Sequence, residues 1–129
     1  MSGVVFDSSV ILAAILGEKG GDNAFDRIEE AVVSAVNVAE VYSYAAVNAL
    51  ATGAIDAFFA DTGIAVEPFT REQAEMAGGM AAITRKAGLS LGDRACLSLG
   101  RLRSAEVLTA DRVWASLAEE LGVTITLLR

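Results

Sequence analysis

Five short apolar runs divide this 129-residue chain: Val4-Val5-Phe6, Ala31 to Val36, Ile64 to Glu67, Val107-Leu108 and Val123 to Leu128. They read as apolar runs rather than alternations of apolar and polar residues, so each strand expects cover on both faces. Helical patterns fill the intervals. Ser8 to Gly17 reads as a helix opened by a hydroxyl and stopped by glycine, and Gly21 to Glu30 as a second. Asn37-Val38-Ala39-Glu40 is a capping-box pattern, followed by apolar residues at helical spacing until Gly53. A short helix over 54–61 follows, then a long one from Thr70 to Ala87 that stops at Gly88. Ser90-Leu91-Gly92-Asp93 is a second capping pattern, opening a helix to about Leu102, and Asp111 to Leu121 reads as the last helix. Strand and helix in alternation predict an α/β fold, a five-stranded parallel sheet with helices on both faces.

Length and composition narrow the class. The chain suits one domain spanning residues 1–129, and at 53% hydrophobic it carries enough apolar surface to exclude disorder. Its strongest apolar stretch near the N-terminus, Val10 to Leu16, is far short of the roughly 18 residues of a membrane span. It also lacks the basic flank and cleavage site of a signal peptide, so the expectation is a soluble cytoplasmic protein with no membrane partner. The single cysteine, Cys96, permits neither an internal disulfide nor a cysteine-based zinc site, and reads as a small buried helix residue. No glycine-rich phosphate loop of either common nucleotide-binding pattern occurs.

Net charge is −7, unevenly spread: residues 1–70 hold two basic and ten acidic side chains, residues 71–129 eight and seven. A polyanionic substrate would therefore need a few placed cations and a metal rather than bulk attraction.

Four acids occupy places where strand or helix meets loop: Asp7, Glu40, Asp93 and Asp111. Asp7 follows the first strand directly, Asp111 follows the fourth by a short step, and Glu40 and Asp93 fall in the expected first turns of helices, where the dipole favours an ionised carboxylate. In open parallel sheets, ligands bind beyond the carboxyl ends of the strands where the strand order reverses, so all four suit one crevice. The chain has no histidine, which deprives such a site of the usual neutral base near pH 7. Carboxylates alone can instead hold a hard divalent cation, Mg²⁺ or Mn²⁺, that activates water against a phosphate.

Each acid also has a structural reading. Glu40 and Asp93 complete capping boxes with Asn37 and Ser90, Asp111 serves as an N-cap, and Asp7 as a turn residue. Asp7 resists that reading best, because an acid at the end of a buried strand, followed by Ser8 and Ser9, is hard to explain as solvation. Arg94 and Arg112, each directly after a candidate ligand, could reach phosphate oxygens, and Arg85 could line a substrate channel, with a solvated or ion-paired surface role as the alternative. Tyr44, one turn beyond Glu40, could stack a base or pack against another helix or subunit, and Trp114 reads as core.

The segments Val5-Phe6-Asp7-Ser8-Ser9, Ser34 to Val41, Gly88 to Leu97 and Val107 to Arg112, in that order, resemble the PIN-domain ribonucleases, and specifically VapC-type toxins of prokaryotic toxin–antitoxin pairs. The resemblance runs from end to end. It implies a sheet ordered 3-2-1-4-5 and a Mg²⁺- or Mn²⁺-dependent endoribonuclease. Its acidic quartet falls on Asp7, Glu40, Asp93 and Asp111, with supporting hydroxyl positions at Ser8 or Ser9 and Thr109; Asn37, paired with Glu40 by the capping pattern, is a further supporting candidate. It further implies a cognate VapB-type antitoxin and a homodimer. Two alternatives stand beside it. One is a catalytically idle PIN-fold binding protein, such as an antitoxin decoy. The other is an aspartyl-phosphate phosphotransfer domain, which the residues fit poorly: Ser9 stands where a phosphatase of that class has its second acid, and no lysine follows Lys86.

Overall fold

The computed structural model describes residues 3–129. Five parallel strands form one sheet in the order β3-β2-β1-β4-β5: β1 (Val4–Phe6), β2 (Ala31–Ser34), β3 (Ala65–Glu67), β4 (Glu106–Thr109) and β5 (Ile125–Leu127). Both the class and the order match the expectation. β1 is central, with Phe6 paired to Val33 on one side and to Leu108 on the other.

The pleat sends neighbouring residues into different cores. Val4 and Phe6 pack with Val33 and Leu108 beneath α1 (Ser8–Leu16), α2 (Gly21–Asp26), α3 (Ala35–Val47) and α4 (Gly53–Thr62). Val5 and Val107 face the opposite layer, made by α5 (Arg71–Thr84), α6 (Leu91–Arg103) and α7 (Ala118–Leu121). Both faces of the central strands are thus dry, which is why the apolar runs do not alternate. The edge strand β3 is the exception, with Ala65 and Val66 exposed.

Helix stops fall where glycine can adopt the left-handed conformation, at Gly17 after α1, at Gly63 after α4 and at Gly88 after the 3-10 turn that ends the α5 segment. Several boundaries differ from expectation: α2 stops at Asp26 and a 3-10 turn over Ile28–Glu30 completes its segment, and β2 stops at Ser34 rather than Val36. α3 begins at Ala35, not Asn37: Ser34, the last residue of β2, caps it by accepting the Val36 N–H at 3.2 Å. Glu40 therefore lies in the second turn, beyond the reach of the terminal dipole, and Asn37 is an interior residue. α3 also ends at Val47, and Gly53 opens α4 instead of closing α3. The α5 segment stops as α-helix at Thr84 and tightens to a 3-10 turn over 85–87. The segment after Asp111 is a 3-10 helix over Arg112–Leu117 before α7, a winding that puts Trp114 and Leu117, three residues apart, against the same core. The Ser90–Asp93 capping box forms as expected.

Candidate active site

Asp7 sits one residue beyond β1, its N–H donating to the Leu108 carbonyl at 3.0 Å. It occupies the N-cap position of α1, yet its side chain makes no capping bond. The carboxylate is used elsewhere. Oδ2 accepts from Ser9 Oγ at 2.7 Å and from Thr109 Oγ1 at 2.9 Å. Each hydroxyl is itself aimed by a backbone donor from the β4 exit: Ala110 N–H reaches Ser9 Oγ, and Asp111 N–H reaches Thr109 Oγ1, both at 3.0 Å. Of the two serines, Ser9 supports Asp7, and Ser8 opens α1.

That arrangement fixes one carboxylate oxygen and leaves the other bare. Asp7 is 3% exposed, and its Oδ1 is buried without a hydrogen-bond partner. Burial raises the Asp7 pKa from 3.8 to about 6 against the pull of both hydroxyls, and the charges of Asp93 and Glu40 add to the rise. Asp93 is also raised, by burial first and then by the charge of Asp111, while its capping bond to Ser90 opposes the shift. The four acids thus form a chain of mutual repulsion: Glu40 and Asp93 act on Asp7, and Asp111 on Asp93. Among the described residues, no three of them stand close enough to enclose a cation as they are.

Two of the capping readings, those of Asp93 and Asp111, hold alongside this, and that of Glu40 does not. Asp93 Oδ2 accepts the Ser90 N–H at 2.9 Å, and Asp111 Oδ1 accepts the Val113 N–H at 3.1 Å. Glu40 is held from within α3: Asn37 Nδ2, three residues before it, donates to its Oε1 at 2.8 Å and, across to α6, to the Gly92 carbonyl at 3.0 Å. Gly92 was not among the expected site residues. Its one local signal is weak: glycine in a helix costs about 1 kcal/mol against alanine, which does not say what stands in the place of the side chain. Cys96 is fully buried, and burial together with the fields of Asp7, Asp93 and Glu40 pushes its thiol well up, so it is an inert packing residue.

None of the three candidate arginines is ion-paired among the described residues. Arg85 is exposed in the turn after α5, Arg112 donates to the Arg129 carbonyl at 2.9 Å, and Arg94 is half-buried with its Nε unpartnered. Tyr44 borders an apolar groove between α1, α3 and α4. Trp114 is fully buried.

The PIN domain profile matches residues 4–120. The chain belongs to the PIN domain family. No curated protein matches it significantly. Among solved structures, this PIN domain is similar to DNA-bound VapBC from Salmonella typhimurium, with a TM-score of 0.76, 14% identity and complete coverage of both chains. VapBC-5 from Mycobacterium tuberculosis matches with a TM-score of 0.61 and 23% identity over 99% of this chain and 98% of that one. FitAcB from Neisseria gonorrhoeae matches with a TM-score of 0.67 and 17% identity, 95% of each chain being covered. At these identities the likeness is one of fold, and it agrees with the VapC-like PIN fold expected from the sequence. No helix among the described residues is long and apolar enough to cross a membrane.

Proposed function

We propose that this PIN domain is a Mg²⁺- or Mn²⁺-dependent endoribonuclease acting as the toxin of a toxin–antitoxin pair. The observation that carries the reading is Asp7: one oxygen pinned by two oriented hydroxyls, the other buried and bare within the fields of Asp93 and Glu40. All-oxygen, anionic donors suit a hard cation, and the bare Oδ1 and the mutual repulsion of the acids are both relieved by one. Asp7, Asp93 and Asp111 would hold it directly or through water. When bound, such a cation lowers the pKa of water and screens the phosphate.

The chain's own residues supply the rest. Glu40 orients the attacking water and takes its proton, the role for which the chain has no histidine. Asp7 keeps its geometry through Ser9 and Thr109. Arg94, with an unpartnered donor, and the exposed Arg85 and Arg112 meet the substrate's phosphates. In-line attack by water leaves a 5′-phosphate and a 3′-hydroxyl.

For the antitoxin, the apolar groove bordered by Leu16, Tyr44 and Leu50 offers a seat, and the acidic N-terminal half favours a partner segment with basic flanks. The match to toxin–antitoxin complexes supports this assignment. A homodimer is part of the same reading, and sedimentation checks it.

The direct test is digestion of total cellular RNA with Mg²⁺ or Mn²⁺ and with excess EDTA. Cleavage is expected only with the cation, with products ending in 5′-phosphate. Undiminished cleavage in EDTA sinks the proposal. A finer test uses Thr109→Val, which keeps the shape but strips Asp7 of one of its two donors. The metal-free Asp7 pKa then rises further, protons compete better with the cation, and at subsaturating Mg²⁺ the acidic limb of the pH–rate profile is expected to move to higher pH. An unmoved limb would show that Thr109 does not govern Asp7.

A further inference from the structure

Gly92 lies in the first turn of α6, where alanine would give a firmer helix. A Cβ placed there would meet Glu40 Oε2 at 2.1 Å, Cδ at 2.4 Å and Oε1 at 2.7 Å. The carboxyl of Glu40 therefore rests on the bare Cα of Gly92. On its other side stands Asn37, fully buried, whose amide nitrogen bonds both Glu40 Oε1 and the Gly92 carbonyl. Both acceptors are oxygens, so a flipped amide would set oxygen against oxygen, and the orientation is settled. Asn37 Oδ1 is left buried and unpartnered. A buried amide with half of its bonding capacity unused is a poor choice for packing α3 on α6, and such departures cluster at functional positions.

We infer that Gly92 and Asn37 are positioning residues for Glu40: the missing side chain at 92 makes room for the carboxylate, and the Asn37 amide fixes its direction. This rests on the nuclease reading for its catalytic meaning, and on the α3–α6 contact alone for its geometry. Because the carboxyl is the far end of a flexible side chain, a methyl group at 92 displaces Glu40 rather than unfolding α6.

The test is Gly92→Ala in two backgrounds, wild type and Glu40→Ala, read by RNA cleavage and by thermal melting without metal. In the wild type, kcat is expected to fall about 100-fold, the scale of an ångström-level misplacement, with KM for RNA unchanged and the fold intact. In the Glu40→Ala background the same change costs no further activity. It also raises the melting temperature more than in the wild type, since no carboxyl has to move. A Gly92→Ala chain that folds only when Glu40 is truncated supports the contact equally. Wild-type cleavage by Gly92→Ala, or the same fold-loss in both backgrounds, overturns the positioning role. If Glu40→Ala itself cleaves like the wild type, the nuclease assignment of Glu40 has failed. The melting data then decide the contact separately: equal shifts in the two backgrounds remove it, and unequal shifts keep it.

Discussion

Asp7→Asn is expected to lower RNA cleavage by on the order of 10³-fold, the effect of removing one preorganised charge from a site where charge develops. The same substitution is expected to make the metal-free protein more stable at neutral pH. The folded-state pKa of Asp7, about 6, lies above its ordinary 3.8, with burial as the largest cause. The protonated carboxyl is therefore the form the fold prefers. Its contribution to stability is fully present below about pH 4 and is lost as pH rises through 6. At pH 7.5 the buried carboxylate costs roughly 3 kcal/mol at about 1.4 kcal/mol for each pH unit of displacement. Asparagine never carries that charge. Its amide oxygen can accept the Ser9 and Thr109 hydroxyls, and its nitrogen fills the place of the bare Oδ1.

Urea unfolding in EDTA checks this. The variant should exceed the wild type by about 1–3 kcal/mol at pH 7.5 and by almost nothing near pH 4. Saturating Mg²⁺ should then raise the wild type alone and close the gap. A variant that cleaves RNA normally removes Asp7 from the site, and equal stability of the two proteins at both pH values removes the burial account.

Trp114→Ala carries the largest expected loss of stability. The indole is fully buried among Val5, Cys96, Leu97 and Leu121, in the 3-10 helix that directly follows Asp111. Truncation of so large a ring costs about 3–5 kcal/mol through lost burial and the cavity left behind. That is a large share of the roughly 5–15 kcal/mol typical of a domain. Trp114→Phe is expected to cost much less, because the smaller ring keeps most of the contact and removes an indole N–H that is buried without a partner. Chemical denaturation of both variants separates volume from polarity. A Trp114→Ala protein within about 1 kcal/mol of the wild type would show that the core of this face does not depend on the ring.

Local chemistry was legible where one residue settles the outcome. Ser90 and Asp93 form the box their spacing announces, and Gly17 and Gly88 stop their segments. Asp7 stood out because a carboxylate at the end of a dry strand has no local use. The Asn37–Glu40 pattern misled for an equally local reason. Ser34 caps α3 three residues earlier, and an Asn-x-x-Glu spacing looks the same whether the asparagine caps a helix or faces a neighbouring one. Arg94 and Arg112 were legible only as cations next to acids and Arg85 only by its place before the Gly88 turn, and Gly92 was passed over because its role lies in space rather than in its own segment.

The sequence by itself determined where strands and helical segments fall, the parallel character of the sheet and the placing of Asp7, Asp93 and Asp111 at element ends. Those follow from apolar runs, hydroxyl caps and glycine stops, all acting within a few residues. The 3-2-1-4-5 strand order came from family resemblance rather than from any periodicity. Tertiary structure alone decided that Thr109 and Ser9 grip one oxygen of Asp7 and leave the other bare, and that Asn37 and Gly92 cradle Glu40. The deciding bonds join residues 102 and 55 positions apart. Such contacts exist only once β4 closes against β1 and α6 docks on α3, and short-range patterning carries no record of either.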